Sequence, residues 1–236
     1  MKSIFPDPET ADENGIVAWS RHLNCDMLAD AYRHGIFPWP LGNDVPYIPW
    51  ASPAERGVLF CDKLHLPHGL KREMKKFRFE FKVDSAFREV ITNCAQAARP
   101  GQDDSWITAE MIDSYTEFHR LGYAHSFECF DERGVLAGGL YGVSTGKIFC
   151  GESMFYRVSG ASKFAFVKMV EFLKSLDVVL IDTQMVTNAT AAFGAQLIPR
   201  REYLKLLKLY GGEPLKFPGN NSSGQTEAVP GGRGSR

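Results

Sequence analysis

Lys147 to Phe155 reads KIFCGESMF, and the fold turns on how this stretch is read. Ile148, Phe149 and Cys150 start a buried strand. Gly151 and Glu152 interrupt it before Met154 and Phe155 restore the apolar character. Glycine inside a strand marks a bulge or a close approach of another chain or ligand. A carboxylate placed in an apolar run needs water or a partner, because burying it alone is costly. Two readings stand at this point: a β-bulge with a solvated Glu, or a strand bending away from its neighbour so that Glu152 faces a gap.

The flanking sequence favours the gap. AHSFECF (124–130) and VLAGGLYGVS (135–144) precede the stretch, joined through DERG and TG. Connectors this short require antiparallel neighbours. ASKFAFVKMVEFLKSL (161–176) follows as a helix. Its apolar face is so wide that near-complete burial is expected. VVLIDTQMV (178–186) is then a strand, NATAAFG (188–194) a turn of helix and LIPRREYLKLL (197–207) a last extended segment.

Upstream, HGLKREMKKF, SAFREVITNCAQA and TAEMIDSYTEFHRLG have helical spacing, the last with a Thr108 cap and a Gly122 stop, while FRFEFKV alternates as a strand. Before them, CDMLADAYRHG forms a short helix, and the prolines at 38, 40, 46, 49 and 53 enforce extended, turn-rich chain.

A meander, a helix, a returning strand, then a short helix and a last strand make an α+β order. It fits a GNAT-type acyltransferase fold, a mixed and mostly antiparallel sheet with flanking helices. In that fold two strands splay and the acyl donor enters between them. The expected division is a small N-terminal lobe over 1–63, a catalytic domain over 64–212 and a disordered tail over 213–236.

The bulk numbers exclude several classes. A formal net charge of −1 leaves any nucleic-acid contact to a local basic patch. Five scattered cysteines without C-x-x-C read as reduced thiols rather than a disulfide framework or zinc site. His65 and His68 flank a proline in HLPH and read as loop, so no metal is expected. No apolar run approaches the length of a membrane span and the N-terminus lacks a signal core, which points to the cytoplasm.

Asp182 and Gln184 lie two apart on a strand, which puts both side chains on one face. With Glu152 across the gap they would form a polar cluster within apolar walls, the usual make-up of a small-molecule pocket. Acyl transfer to an amine needs a proton acceptor, an orienting group and a donor for the oxyanion. No Ser–His–Asp or Cys–His arrangement points to a covalent intermediate, so direct attack is the simpler chemistry.

Six blocks then carry a resemblance: AYRHGIFPW, WASPAERGVL, SWITAEMIDSYTEFHRLGYAHSFE, LAGGLYGV, FCGESMF with ASK, and LIDTQ with GAQLIPRREYL. In this order they resemble the motifs of leucyl/phenylalanyl-tRNA–protein transferases, over about residues 15–210. The resemblance implies transfer of Leu, Phe or Met from aminoacyl-tRNA to the N-terminal amine of proteins or peptides beginning with Arg or Lys, marking them for degradation. It implies no metal, no diffusible cofactor, no membrane and no DNA.

Carried over by position, it makes Gln184 the group that engages the amine and Asp182 the one that orients and polarises it. Glu152 would hold the reacting ends, and which of the three handles the proton stays open. Met154, Leu140, Phe166, Met169, Leu173 and Ile181 correspond to the aminoacyl pocket. Ile181, on the strand face opposite Asp182, would have to reach it from behind. For Phe166, Met169 and Leu173, three and four apart on one helix face, plain core is an equal reading. Trp39, Trp106 and Tyr115 correspond to aromatics near the 3′-terminal adenosine. Lys71, Arg72, Lys75, Lys76 and Arg78, with Arg200 and Arg201 of similar type, are candidates for acceptor-stem phosphates.

The chain also departs from the family. Ala189 and Ala192 stand where the family has His and Ser, which excludes a mechanism using that His as base. Phe193 replaces a Leu, VAWSRHLNCD replaces a Gly-Gly-Asp stretch, and Phe166 and Met169 exchange sizes. Two rivals remain. RVSGAS (157–162) is a near-match to a CoA pyrophosphate loop, so an acetyl-CoA-dependent enzyme is one. A catalytically silent tRNA- or peptide-binding module is the other.

Overall fold

The computed structural model describes residues 3–41, 45–97 and 106–217. Ten strands and seven α-helices follow in order among them: β1 Ile16–Ser20, α1 Cys25–Arg33, β2 Phe37–Pro38, β3 Ile48–Ala51, β4 Glu55–Phe60, α2 His68–Met74, β5 Glu80–Val83, α3 Phe87–Gln96, α4 Ala109–Arg120, β6 Ala124–Phe130, β7 Leu136–Thr145, β8 Ile148–Tyr156, α5 Ala161–Ser175, β9 Leu180–Gln184, α6 Asn188–Ala192, β10 Gln196–Pro199 and α7 Arg200–Tyr210. A three-stranded sheet has the order β1-β3-β2, and a seven-stranded sheet has the order β10-β4-β9-β8-β7-β6-β5. Every pairing is antiparallel except β8 with β9. This is the α+β arrangement expected from the sequence.

Asn24 and Thr108 cap α1 and α4 through side-chain acceptors, the Thr108 cap as the sequence signal indicates. α5 buries Phe164, Phe166, Val167, Met169, Val170 and Leu173. The large sheet separates two apolar clusters. One holds Leu28, Trp50, Val90, Tyr115, Cys150 and Tyr203. The other lies under α5, with Leu140, Phe149, Phe166, Met169 and Ile181. Adjacent residues of β8 and β9 alternate between the two clusters, as the strand period demands.

Three expectations are corrected. RREYLKLL is not extended: Pro199 stops β10 and caps α7, which buries Tyr203 and Leu207 four residues apart. β4 falls within the stretch assigned to the lobe, yet it pairs with β9 and β10 inside the large sheet. Its burial on both faces, Arg56 to Leu59, is what a central strand requires. The tail expected to be disordered from 213 is packed as far as Phe217, whose ring stacks on His125 with centroids 3.6 Å apart. The rest of that tail lies outside the described residues.

Candidate active site

The opening stretch contains both features that were weighed. Gly142 of β7 pairs with Gly151 and Tyr141 pairs with Ser153, so Glu152 is the extra residue of a β-bulge. β8 and β9 run parallel through Ile148–Leu180, Phe149–Ile181 and Cys150–Asp182, and their pairing then ends. Beyond that point β9 stays with β4 and β8 stays with β7. The bulged carboxylate therefore sits where the two strands part, and the residue is half-buried, with its Oε2 shut off from solvent.

A cavity of about 450 Å³ opens at the parting point. Leu140, Met154, Phe166, Met169 and Ile181 form apolar walls, Trp39 and Trp106 stand at the rim, and Glu152, Thr183 and Gln184 supply polar groups. Gln184 Nε2 donates to Glu152 Oε1 at 2.8 Å. Glu152 Oε2 is buried without a hydrogen-bond partner among the described residues. Burial pushes the Glu152 carboxyl up to about 7, and the nearby Tyr32 hydroxyl and the Gln184 amide draw it only part of the way back.

Asp182 does not face this cavity. Ile181 and Thr183 line it, and the strand period turns Asp182 to the opposite side of the sheet. There Arg56 grips both its oxygens, Nε to Oδ1 at 2.8 Å and Nη2 to Oδ2 at 2.6 Å. Tyr203 Oη donates to Oδ2 at 2.8 Å, and the Gln184 backbone N–H donates to Oδ1 at 2.8 Å. The Arg56 guanidinium lies between the rings of Phe37 and Tyr203, 4.4 and 4.5 Å from their centroids, and donates to Gly35 O at 3.1 Å. Burial works to lower the Arg56 pKa, but the Asp182 carboxylate and the neighbouring Tyr203 together outweigh it and hold the guanidinium above its ordinary range.

Gln184 should share the Asp182 face by simple alternation, yet its side chain reaches the cavity. The reason is a γ-turn: Gln184 has φ +60° and Met185 N–H closes back on Thr183 O. A non-glycine residue held at such a φ costs about 1–3 kcal/mol and persists only where its surroundings over-determine it. Asp182, by accepting the Gln184 N–H, is part of what holds it. Gly57 on β4 is another part. A Cβ there would lie 2.5 Å from the Met185 carbonyl carbon, so only glycine admits this approach.

Five of the six residues expected around the aminoacyl group line the cavity, Ile181 directly and not from behind. Leu173 lies in the core behind them, fully buried. Tyr115 is also absent from the lining. It is buried on α4, its hydroxyl 2.6 Å from that of Tyr32 and its ring against Tyr141. Lys71, Arg72, Lys75, Lys76 and Arg78 are all exposed on and after α2. That helix borders a second groove of about 810 Å³, which shares Met154, Phe166, Ala189 and Thr190 with the first cavity. At the CoA-like loop, Gly160 takes φ +85° ahead of α5, and Arg157 Nη2 is held by Asn93 Oδ1 at 2.6 Å. Sequence reasoning missed Arg56, Tyr203 and the Tyr32–Tyr115 pair.

The described cysteines are all free thiols, and no described helix is long and apolar enough to cross a membrane. Among solved structures, L-PGS from Bacillus licheniformis shows distant similarity, with a TM-score of 0.41 and 12% identity over 73% of this chain and 54% of that one. A leucyl/phenylalanyl-tRNA–protein transferase of Anaeromyxobacter sp. (strain Fw109-5) is 50% identical over 203 residues, 86% of this chain and 85% of its own. One of Myxococcus xanthus (strain DK1622) is 46% identical over 213 residues, 90% of each. The model of the family described as leucyl/phenylalanyl-tRNA protein transferase matches residues 58–208, well over half the chain. On that match and those identities, this chain belongs to the leucyl/phenylalanyl-tRNA–protein transferase family.

Proposed function

We propose that the protein transfers Leu, Phe or Met from aminoacyl-tRNA to the N-terminal amine of proteins beginning with Arg or Lys, in the cytoplasm, as a tag for degradation. The observation that carries this reading is the Gln184–Glu152 pair, 2.8 Å apart, at the neck of an apolar cavity between two parting strands. The donor side chain would occupy the walls formed by Leu140, Met154, Phe166, Met169 and Ile181. Met154 and Met169 are flexible walls that suit unbranched or γ-branched side chains. Shape alone discriminates by about 1–3 kcal/mol per misplaced methylene. Trp39 and Trp106 would hold the terminal adenosine. Lys71, Arg72, Lys75, Lys76 and Arg78 would meet phosphates of the acceptor stem. Leu173 and Tyr115 would act from behind, as supports.

The chemistry divides among three side chains. Gln184 Nε2 is engaged by Glu152, which leaves its Oε1 to accept a hydrogen bond from the incoming amine and aim the nitrogen. That nitrogen attacks the ester carbonyl, the C–O bond to the ribose breaks, and an amide forms. The amine proton passes to Glu152 Oε2, the oxygen that Gln184 does not engage, and a proton is returned to the leaving ribose oxygen. Asp182 has four donors on its two oxygens, and it lies on the far side of the sheet from the cavity. It fixes the γ-turn that delivers Gln184. Glu152 is the only carboxylate among the described lining residues, which suits an acceptor whose first side chain is positively charged.

The test is to incubate the protein with Leu-tRNA and a peptide beginning with Arg, beside a parallel reaction with acetyl-CoA as donor. Leu-extended peptide from the tRNA alone is the expected result. Product from acetyl-CoA alone, or from neither, would falsify the reading.

A further inference from the structure

Tyr32 of α1 and Tyr115 of α4 belong to the apolar cluster on the opposite face of the large sheet from the cavity walls. Both are buried, 2% and 0% exposed. The Tyr32 ring stacks on Phe118 with centroids 6.4 Å apart, and the Tyr115 ring meets Phe118 and Tyr141 edge-on at 6.5 and 5.6 Å. Rings packed in this way hold their hydroxyls at fixed points. The two hydroxyl oxygens lie 2.6 Å apart. Each phenol has a single O–H to donate, so the bond between them uses one donor and leaves the other. The acceptor beside the pair is a carboxylate: the Tyr32 hydroxyl lies close enough to Glu152 to draw its pKa down. Gln184 already engages Oε1 of that carboxylate, and Oε2 has no partner among the described residues. An ionised carboxylate only accepts. Tyr115 therefore donates to Tyr32, and the Tyr32 O–H is the one left for Glu152.

We infer that Tyr32 is a positioning residue for the transfer, its hydroxyl donating to Glu152 Oε2 while Tyr115 holds Tyr32 in place. This rests on the reading of Glu152 as the proton acceptor given above. A carboxylate gripped by Gln184 at one oxygen is still free to swing. A donor on the other oxygen fixes its plane and favours its charged form. A further lone pair on Oε2 stays open to the amine. Burial and the Glu152 charge push the Tyr32 hydroxyl well above its ordinary range, so it stays protonated and serves as a donor throughout the working pH. The other groups that face Glu152 are occupied. Asp182 of β9 and Arg56 of β4 are bound to each other, and Tyr203 of α7 donates to Asp182. Cys150 of β8 is buried against Asp182, which holds its thiol protonated. Through Tyr32, a helix of the N-terminal lobe reaches the chemistry of the cavity.

The experiment follows single-turnover Leu transfer from Leu-tRNA to a peptide beginning with Arg, against pH, in wild-type protein, Tyr32→Phe and Tyr115→Phe. Both variants keep the packed ring and remove only the hydroxyl. Losing the donor disfavours the carboxylate, so in Tyr32→Phe the rate step near pH 7 moves up by about one unit, the scale of one hydrogen bond to a charged group. The rate at pH 7 then falls about fivefold and returns once the pH passes the new step. KM for Leu-tRNA and for the peptide stay at wild-type values. Tyr115→Phe moves the step the same way by a smaller amount. A step left in place in Tyr32→Phe, or a rate lowered by one factor at every pH, would overturn the inference and make Tyr32 a packing residue. A shift in Tyr32→Phe with none in Tyr115→Phe would remove Tyr115 from it. A wild-type profile without a step, or Glu152→Gln protein that keeps the step, would instead overturn the reading of Glu152 itself.

Discussion

The two sides of β9 hold carboxylates in opposite conditions. On one side Asp182 is buried and saturated, with a bidentate arginine, a tyrosine hydroxyl and a backbone N–H on its two oxygens. On the other, Glu152 has the Gln184 amide on Oε1 and the Tyr32 hydroxyl close by, fewer donors than Asp182. A saturated buried ion pair is a fixed charge and a fastening. An undersatisfied carboxyl, its pKa pushed up to about 7 by burial, can exchange a proton at working pH. The resemblance leaves open which of the three polar residues handles the proton, and this contrast is what supports Glu152 in the proposed mechanism.

Substitutions that exchange or erase the two conditions test the contrast. The largest effect is expected for Glu152→Gln, which keeps the shape and the bond to Gln184 but cannot accept a proton. Turnover should fall by about 10²–10⁴-fold, the usual contribution of a general base. A wild-type rate would remove Glu152 from the chemistry. The same variant has a stability signature. The Glu152 pKa is higher in the folded chain than the ordinary 4.5, so its contribution is fully present below that value and is lost as pH rises through about 7. Wild-type Tm should therefore fall relative to Glu152→Gln across that window.

Arg56→Ala should act on the other side of the strand. Stripping the partner from buried Asp182 costs about 3–5 kcal/mol, read as a shift in the denaturant midpoint. A loss below 1 kcal/mol would show that the pair does not fasten the turn. Gln184→Ala should lower turnover about a hundredfold, the scale of losing an aligned contact, with tRNA affinity nearly unchanged. Loss of affinity as large as the loss of rate would make Gln184 a scaffold residue. Trp106→Ala has the smallest expected effect, about 1–3 kcal/mol in capture of the charged adenosine, measured with Leu-adenosine. Unchanged capture would return that ring to the core.

The sequence made the parting of β8 and β9 legible because Gly151 and Glu152 both violate a buried strand. It also identified most of the cavity wall: Leu140, Met154 and Ile181 fall inside the quoted motif blocks, and Phe166 and Met169 follow by position on the helix between them. It did not reveal which way Asp182 points. Period-two alternation placed Asp182 and Gln184 together, but the γ-turn at Gln184 (φ +60°) breaks the alternation at the last residue of the strand. That turn depends on Gly57 of another strand, a contact no local pattern encodes. The same is true of Arg56. A lone arginine in the apolar ERGVLF and a lone aspartate in LIDTQ are each odd, and their pairing across 126 positions is a tertiary fact. α7 was misread because Pro199 and two arginines hid a helical start, although Tyr203 and Leu207 had the right spacing.

The assignment of the proton to Glu152 is tested most directly by the single-turnover rate of Leu transfer from Leu-tRNA, followed against pH in wild-type protein and in Glu152→Gln. The wild-type rate should climb through a step near pH 7, where the carboxyl ionises, and that step should vanish in the variant along with most of the rate. A variant that keeps the wild-type rate and the wild-type profile at every pH would contradict it.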